Sequence, residues 1–99
     1  MRVKWSPLAI ERASEAAAFI AQGDLEAAEL WTKGLFHAVK RLESFPESGR
    51  MIPEIERPEF REIQYGHYRV LYRLQKSAVS ILTVRHARRL FDPAEVGPR

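Results

Sequence analysis

Residues 60 to 91 carry the clearest hydropathy pattern in the chain. In FREIQYGHYRVLYRLQKSAVSILTVRHARRLF, three short runs are divided at Tyr65-Gly66-His67 and at Gln75-Lys76-Ser77. Short alternating runs bounded by turn residues predict β-strands, and Gly66 can take positive φ at no steric cost. The middle run alternates most cleanly. Tyr68, Val70, Tyr72 and Leu74 fall on one face, and Arg69, Leu71 and Arg73 on the other. The first face is apolar and needs a cover. The second carries two guanidinium groups and needs water or an acidic or anionic partner.

The first half of the chain supplies the cover. Arg2 to Trp5 alternates and predicts a short strand with Val3 and Trp5 facing inward. Ser6 can cap the free amides of a helix that opens at Pro7. Ile10, Ala13, Ala17 and Ile20 recur at helical spacing, and Ala16 and Phe19 widen that stripe. Gly23 is expected in the left-handed conformation past the helix end, with Asp24 as the next N-cap. A second helix is expected from about Leu25 to Glu43, with its stripe on Ala28, Trp31, Leu35, Ala38, Val39 and Leu42. So short a junction makes the two helices an antiparallel hairpin. The stretch 45–59 contains Pro46, Pro53 and Pro58 and is expected to be irregular. The segment from about residue 92 to 99 is expected to be a mobile tail.

These elements predict an α+β fold in one domain over residues 1–99: a short N-terminal strand, an antiparallel helical hairpin, then a three-stranded antiparallel sheet packed on the helices. Truncating Tyr72 or Trp31 to alanine is expected to cost about 3–5 kcal/mol, most of the stability of so small a domain.

Composition narrows the chemistry. With 99 residues and no cysteine, the chain has no disulfide or thiolate metal site, which fits a cytoplasmic protein. Its longest weakly polar run, 16–21, is too short to cross a bilayer, and no membrane role is expected. No phosphate-binding glycine loop, zinc spacing or nucleophile elbow is present, so no cofactor and no metal are expected. The net charge of +3 is unevenly spread. Residues 1–56 hold seven Lys/Arg against nine Asp/Glu (−2), and residues 57–99 hold nine against four (+5). A basic second half points to a nucleic-acid, ribosomal or acidic-protein partner, or to a merely solvated basic surface.

Among the histidines, His37 reads as a helix surface residue and His67 as a solvated turn residue. His86 ends the last strand beside Arg85 and near Arg88 and Arg89. Neighbouring guanidinium groups favour neutral imidazole, which could take a proton from a ribose hydroxyl while the arginines stabilise phosphate charge. The plainer reading has His86 closing the sheet on a loop carbonyl. Arg61, Arg69 and Arg73 could grip phosphates or an acidic peptide, or could pair internally with Glu54, Glu59 or Glu62. Arg61 shares the face of Arg69 only if Ile63 and Tyr65 lie there too.

From Trp5 to about Arg89 the ordered set of pieces resembles the RelE/ParE superfamily of bacterial toxins. The pieces are the N-terminal strand and Ala-rich helix, Ala27-Ala28, Leu42 with Phe45-Pro46 and Gly49-Arg50, Pro53-Glu54, Arg61-Glu62-Ile63, Tyr68-Arg69-Val70-Leu71-Tyr72, and Ile81-Leu82-Thr83-Val84 with His86 and Arg88. The resemblance implies the toxin half of a type II toxin–antitoxin pair, with a cognate antitoxin as partner and hetero-oligomeric complexes possible between them. Members like ParE block DNA gyrase by binding. Members like RelE cleave mRNA on the ribosome, commonly with a C-terminal Tyr or a His. This chain has Arg69 and His86 for such catalysis but no tyrosine after Tyr72, and Phe91 has no hydroxyl. The loop Phe45-Pro46…Gly49-Arg50 and the run Val84 to Arg88 look closer to ParE. The resemblance therefore implies a gyrase-binding toxin, with Arg61, Arg69, Arg73, Arg85, Arg88 and Arg89 as the surface for target or antitoxin. The alternatives are a ribosome-dependent endoribonuclease using Arg69 and His86, and an inactive partner-binding member.

Overall fold

The computed structural model describes residues 1–97 as β1 (Arg2–Trp5), α1 (Pro7–Gly23), α2 (Leu25–Lys40), a 3₁₀ turn (Arg41–Glu43), β2 (Arg50–Met51), β3 (Phe60–Tyr65), β4 (Tyr68–Leu74), β5 (Ala78–His86) and a second 3₁₀ turn (Pro93–Val96). The α+β class and the element order match the sequence reading. The sheet has five strands rather than three, in the order β1-β5-β4-β3-β2. Both outer strands are recruited from outside residues 60–91. β1 pairs parallel with β5, Trp5 lying opposite Ile81, and the two-residue β2 pairs antiparallel with β3. The proline-bounded loop thus yields a minimal edge strand, too short to stand out by alternation.

Ser6 explains how α1 is set on the sheet. Its Oγ accepts from the Ala9 amide at 3.0 Å, and its hydroxyl donates to the Leu82 carbonyl at 2.9 Å. Its own amide donates to Ile81 O at 3.0 Å, so one residue caps the helix and fastens it to β5. That fixes the phase of α1. Ala9 and Ala16 are buried, Ala13 packs against the core, and Ile10 and Phe19 are exposed. The expected stripe was therefore rotated, because the helix approaches the strand through small side chains. Asp24 also does two jobs, donating its amide to Ile20 O at 3.0 Å and accepting from Ala27 N at 3.1 Å. Since the extended Asp24 forms the whole junction, Gly23 does not take the expected left-handed conformation. The α2 stripe follows the sequence, with Ala28, Leu35, Val39 and Leu42 buried.

The helix-side core joins Ala9, Leu35, Val39 and Leu42 to Val70, Tyr72, Val79, Ile81 and Val84. A bulge makes the β5 contribution possible. Leu71 lies opposite Thr83 and Tyr72 opposite Ile81, leaving Leu82 as the extra residue. Ile81 and Val84 can then face the same side although three apart. The opposite face is not simply polar. Ile52, Phe60, Leu71 and Val96 form a second apolar cluster, flanked by Leu82 and Phe91.

Val96 corrects the expectation of a loose tail. The turn at 93–96 buries Val96, and Glu95 accepts from Arg12 Nε at 3.0 Å and Thr83 Oγ1 at 2.8 Å. Glu95 also pairs with Arg85 at 2.7 Å. Burial pushes the Glu95 carboxyl up, but the hydrogen bonds from Thr83, Arg85 and Arg12 outweigh it and hold it below the ordinary range. The expectation for residues 98–99 lies outside the described residues.

Candidate functional site

The candidate residues gather at one end of the sheet, around the β3–β4 turn. Gln64, Arg69 and Arg85 lie in one row across three strands, and Tyr65, Tyr68 and His86 in the next. Both outer strands stop short of this end, β1 at Trp5 and β2 opposite Arg61 and Glu62. A cleft opens on each flank.

The first cleft, about 700 Å³, is lined by Ser48, Gly49, Arg50, Glu54, Glu62 and Arg69, among others. Its centre is an ion-pair cluster. Arg69 donates to Glu62 at 2.5 and 2.8 Å and makes a two-pronged contact with Glu54 at 2.8 and 3.0 Å. Arg50 holds the other oxygen of Glu62 at 2.7 Å. Only 5% of the Glu62 side chain and 13% of that of Arg69 are exposed. The Arg69 hydrogen bonds hold the Glu54 carboxyl below its ordinary range, and Glu54 in turn raises the Arg69 guanidinium. The ring of Phe91 lies 6.0 Å from the guanidinium carbon. Arg69 is thus bound to the protein's own carboxylates, the internal pairing that the sequence left open.

The other arginines divide. Arg61 lies on the helix side with Ile63 and Tyr65, away from Arg69. There it donates to the carbonyl of Pro58 at 3.0 Å, just before β3, and to those of Gly49 at 2.9 Å and Glu47 at 3.3 Å, bracing the loop before β2. The same loop is tied down by Tyr72, whose hydroxyl donates to Pro46 O at 2.8 Å and accepts from Gly49 N at 3.0 Å. Burial pushes that hydroxyl's pKa up, keeping it a donor. Arg73 shares the face of Arg69 and lies over Phe60, 5.2 Å from the ring centre. Arg85 is held by Glu95 and by Leu90 O at 2.5 Å, while its buried Nε finds no acceptor. Arg88 and Arg89 are exposed and make no ion pair among the described residues.

His86 lines the second cleft, of about 410 Å³, with Tyr68, Phe19, Arg88 and Arg89. Its Nδ1 accepts from the Arg88 amide at 3.1 Å, rather than the ring donating to a loop carbonyl, so a neutral ring carries its proton on Nε2. Tyr68 meets His86 edge-on at 5.2 Å and His67 stacks at 6.1 Å. His67 is exposed at the turn, as expected, and so is His37 on α2. His86 is therefore close to Arg88 and apart from the Arg69 cluster across the sheet. Sequence reasoning missed the α1 contribution of Arg12, Ala16 and Phe19; the exposed side of an apparently buried stripe gave no signal for it. Among the described residues no group of three or more His, Asp or Glu is placed to hold a metal, and no helix is long and apolar enough to cross a membrane.

The fold as a whole is a helical hairpin laid on one face of a short mixed sheet. A solved structure from P. aeruginosa, its chromosomal ParDE TA system, shares it with a TM-score of 0.72 over 87% of this chain and 95% of that one, at 19% identity. The family model described as the ParE toxin of type II toxin-antitoxin system, parDE, matches residues 3–91. The chain belongs to the ParE toxin family of type II toxin–antitoxin systems. No curated protein matches it.

Proposed function

We propose that this toxin acts by binding DNA gyrase, as the family resemblance implies, and that a cognate antitoxin neutralises it by covering its basic surface, all in the cytoplasm and from a single domain. The observation that carries binding over RNA cleavage is the pairing of Arg69 with Glu54 and Glu62. A guanidinium whose charge is met by two carboxylates, with all but one of its N–H donors engaged, is poorly placed to stabilise a phosphorane, and that is the step an arginine would have to supply. His86 lies in the other cleft, apart from Arg69, with Arg88 and Arg89 beside it but no tyrosine after Tyr72 to complete a catalytic set. A binding surface needs none of this machinery. The Arg69 cluster then serves to hold β2, β3 and the loop at 54 in one shape.

Supercoiling by purified gyrase tests the reading directly. Added toxin is expected to inhibit it or to trap cleaved DNA, and premixed antitoxin to restore it. Gyrase left untouched at excess toxin, with mRNA cut on ribosomes in a parallel assay, rejects the binding reading. His86→Ala is expected to keep its effect on gyrase.

A further inference from the structure

The 3₁₀ turn at Pro93–Val96 is fastened to the rest of the protein by two adjacent side chains. Glu95 enters a ring of three donors drawn from α1 and β5. Its Oε1 accepts from Thr83 Oγ1 at 2.8 Å and from Arg85 at 2.7 Å, and its Oε2 accepts from Arg12 Nε at 3.0 Å. Thr83 is buried, and the side chains of Glu95 and Arg85 are 8% and 11% exposed, so little water reaches the ring. Val96 fills the adjoining apolar hollow of Ile52, Phe60 and Leu71. The turn's other hydrogen bonds among the described residues are local, from Ala94 and Glu95 to Asp92 and from Gly97 to Ala94. Three donors around one carboxylate make a formed carboxylate site, and here its occupant belongs to the chain itself. Two features mark the contact as one that can open. The turn joins no strand, so its release breaks little beyond the two side-chain contacts. The buried Nε of Arg85 also has no acceptor while the turn is in place, so the closed state leaves a hydrogen bond unmade. Arg12 and Arg85 line the second cleft as well, beside Arg88 and Arg89 and an apolar floor of Ala16, Phe19, Tyr68 and Val84. Glu95 is thus the internal counter-ion for two of the four arginines in that cleft.

We propose that residues 92–96 are a latch, in which Glu95 and Val96 release together and leave Arg12, Thr83 and Arg85 as an open site for a small carboxylate. Neighbours in one short turn cannot leave separately, so the ionic and apolar anchors act as one. The site is one carboxylate wide, and acetate matches the group that leaves it. The latch sets how much free positive charge the second cleft presents. Closed, Arg12 and Arg85 are both met by Glu95. Open, Arg85 has lost its ion pair and Arg12 keeps only Glu15.

The test is NMR of the isotope-labelled full chain beside two variants. In Glu95→Ala the amides of 94–96 and the Val96 methyls are expected to shift to random-coil positions while β4 stays native. In Glu95→Gln, which keeps the shape and loses the charge, the same signals are expected to melt at a lower temperature than those of β4. Sodium acetate added to Glu95→Ala is expected to give saturable shifts at Thr83 and at the Nε–H signals of Arg12 and Arg85, with a Kd about tenfold or more below that of chloride at equal ionic strength. The parent chain, whose site is filled, is expected to show no such shifts. Native shifts at 94–96 in Glu95→Ala, or a turn that melts together with β4 in Glu95→Gln, overturn the latch. So does a Glu95→Ala chain that does not fold, since Glu95 would then build the fold rather than fasten one turn to it. Acetate acting no better than chloride overturns the carboxylate site. Neither result involves gyrase, so the gyrase reading stands or falls separately.

Discussion

Arg69 and Arg88 lie at the same end of one sheet, and both were candidates for the same surface, yet their surroundings oppose each other. Arg69 sits among carboxylates drawn from β3 and from the loop at Glu54, nearly all of its side chain covered. Arg88 stands in solvent beside an apolar floor. The difference shows that the charge of a basic surface must be counted after internal partners are subtracted. Arg69 belongs to the architecture, and Arg88 with Arg89 remains available for recognition.

Breaking the first cleft is the largest expected effect. Arg69→Ala leaves Glu62 buried with Arg50 alone, and the loss is expected to be about 3 kcal/mol, or roughly 10–20 °C in Tm for a domain of this size. Calorimetry checks it; a Tm within a few degrees of the parent would place Arg69 among the dispensable charges. Tyr72→Phe removes the hydroxyl that binds Pro46 and Gly49 and is expected to cost about 1–3 kcal/mol in urea unfolding, because both backbone groups lose a buried partner.

Acid sharpens the comparison further. Folding depresses the carboxyls of Glu54 and Glu95, so their contribution is whole above the ordinary glutamate value of about 4.3 and fades as pH falls through the lower folded value. Arg69→Ala is expected to flatten the Glu54 part of that acid-side slope. Arg88→Ala with Arg89→Ala is expected to leave the slope as it is. The smallest effect is the stability of that last variant at neutral pH, expected within about 0.5 kcal/mol of the parent by the same unfolding measurement.

Much of this fold could be read from the chain because β4 states it plainly. Tyr68, Val70 and Tyr72 alternate toward a cover, and α2 presents Leu35 and Val39 at the matching helical spacing. What could not be read depended on contacts distant in sequence. The bulge at Leu82 breaks alternation in β5 without any glycine to mark it. Ile10 and Phe19 look like core residues until Ser6 fixes the helix phase against Leu82. Val96 is one apolar residue among Pro, Ala, Glu and Gly, and only the cluster beneath it makes it a core residue. For the site, Glu54 and Glu62 were named as partners for Arg69, but alternation could not choose between them and a ligand. The cleft at Arg88 was half legible. Its cations are adjacent in sequence and close to Val84, while Ala16 and Phe19 come from a helix some seventy residues earlier.

The parallel pairing of β1 with β5 has a consequence for the order in which this fold forms. Arg2 to Trp5 pair with Ala78 to Ile81, so the two strands are joined across both helices and the rest of the sheet. Closing that contact spans most of the chain, and such long-range closure is slow and comes late in folding. A nascent chain that ends before Val79 has neither the partner of β1 nor the strand to which Ser6 fastens the first helix. The docking of β1 and of the first helix therefore waits on β5.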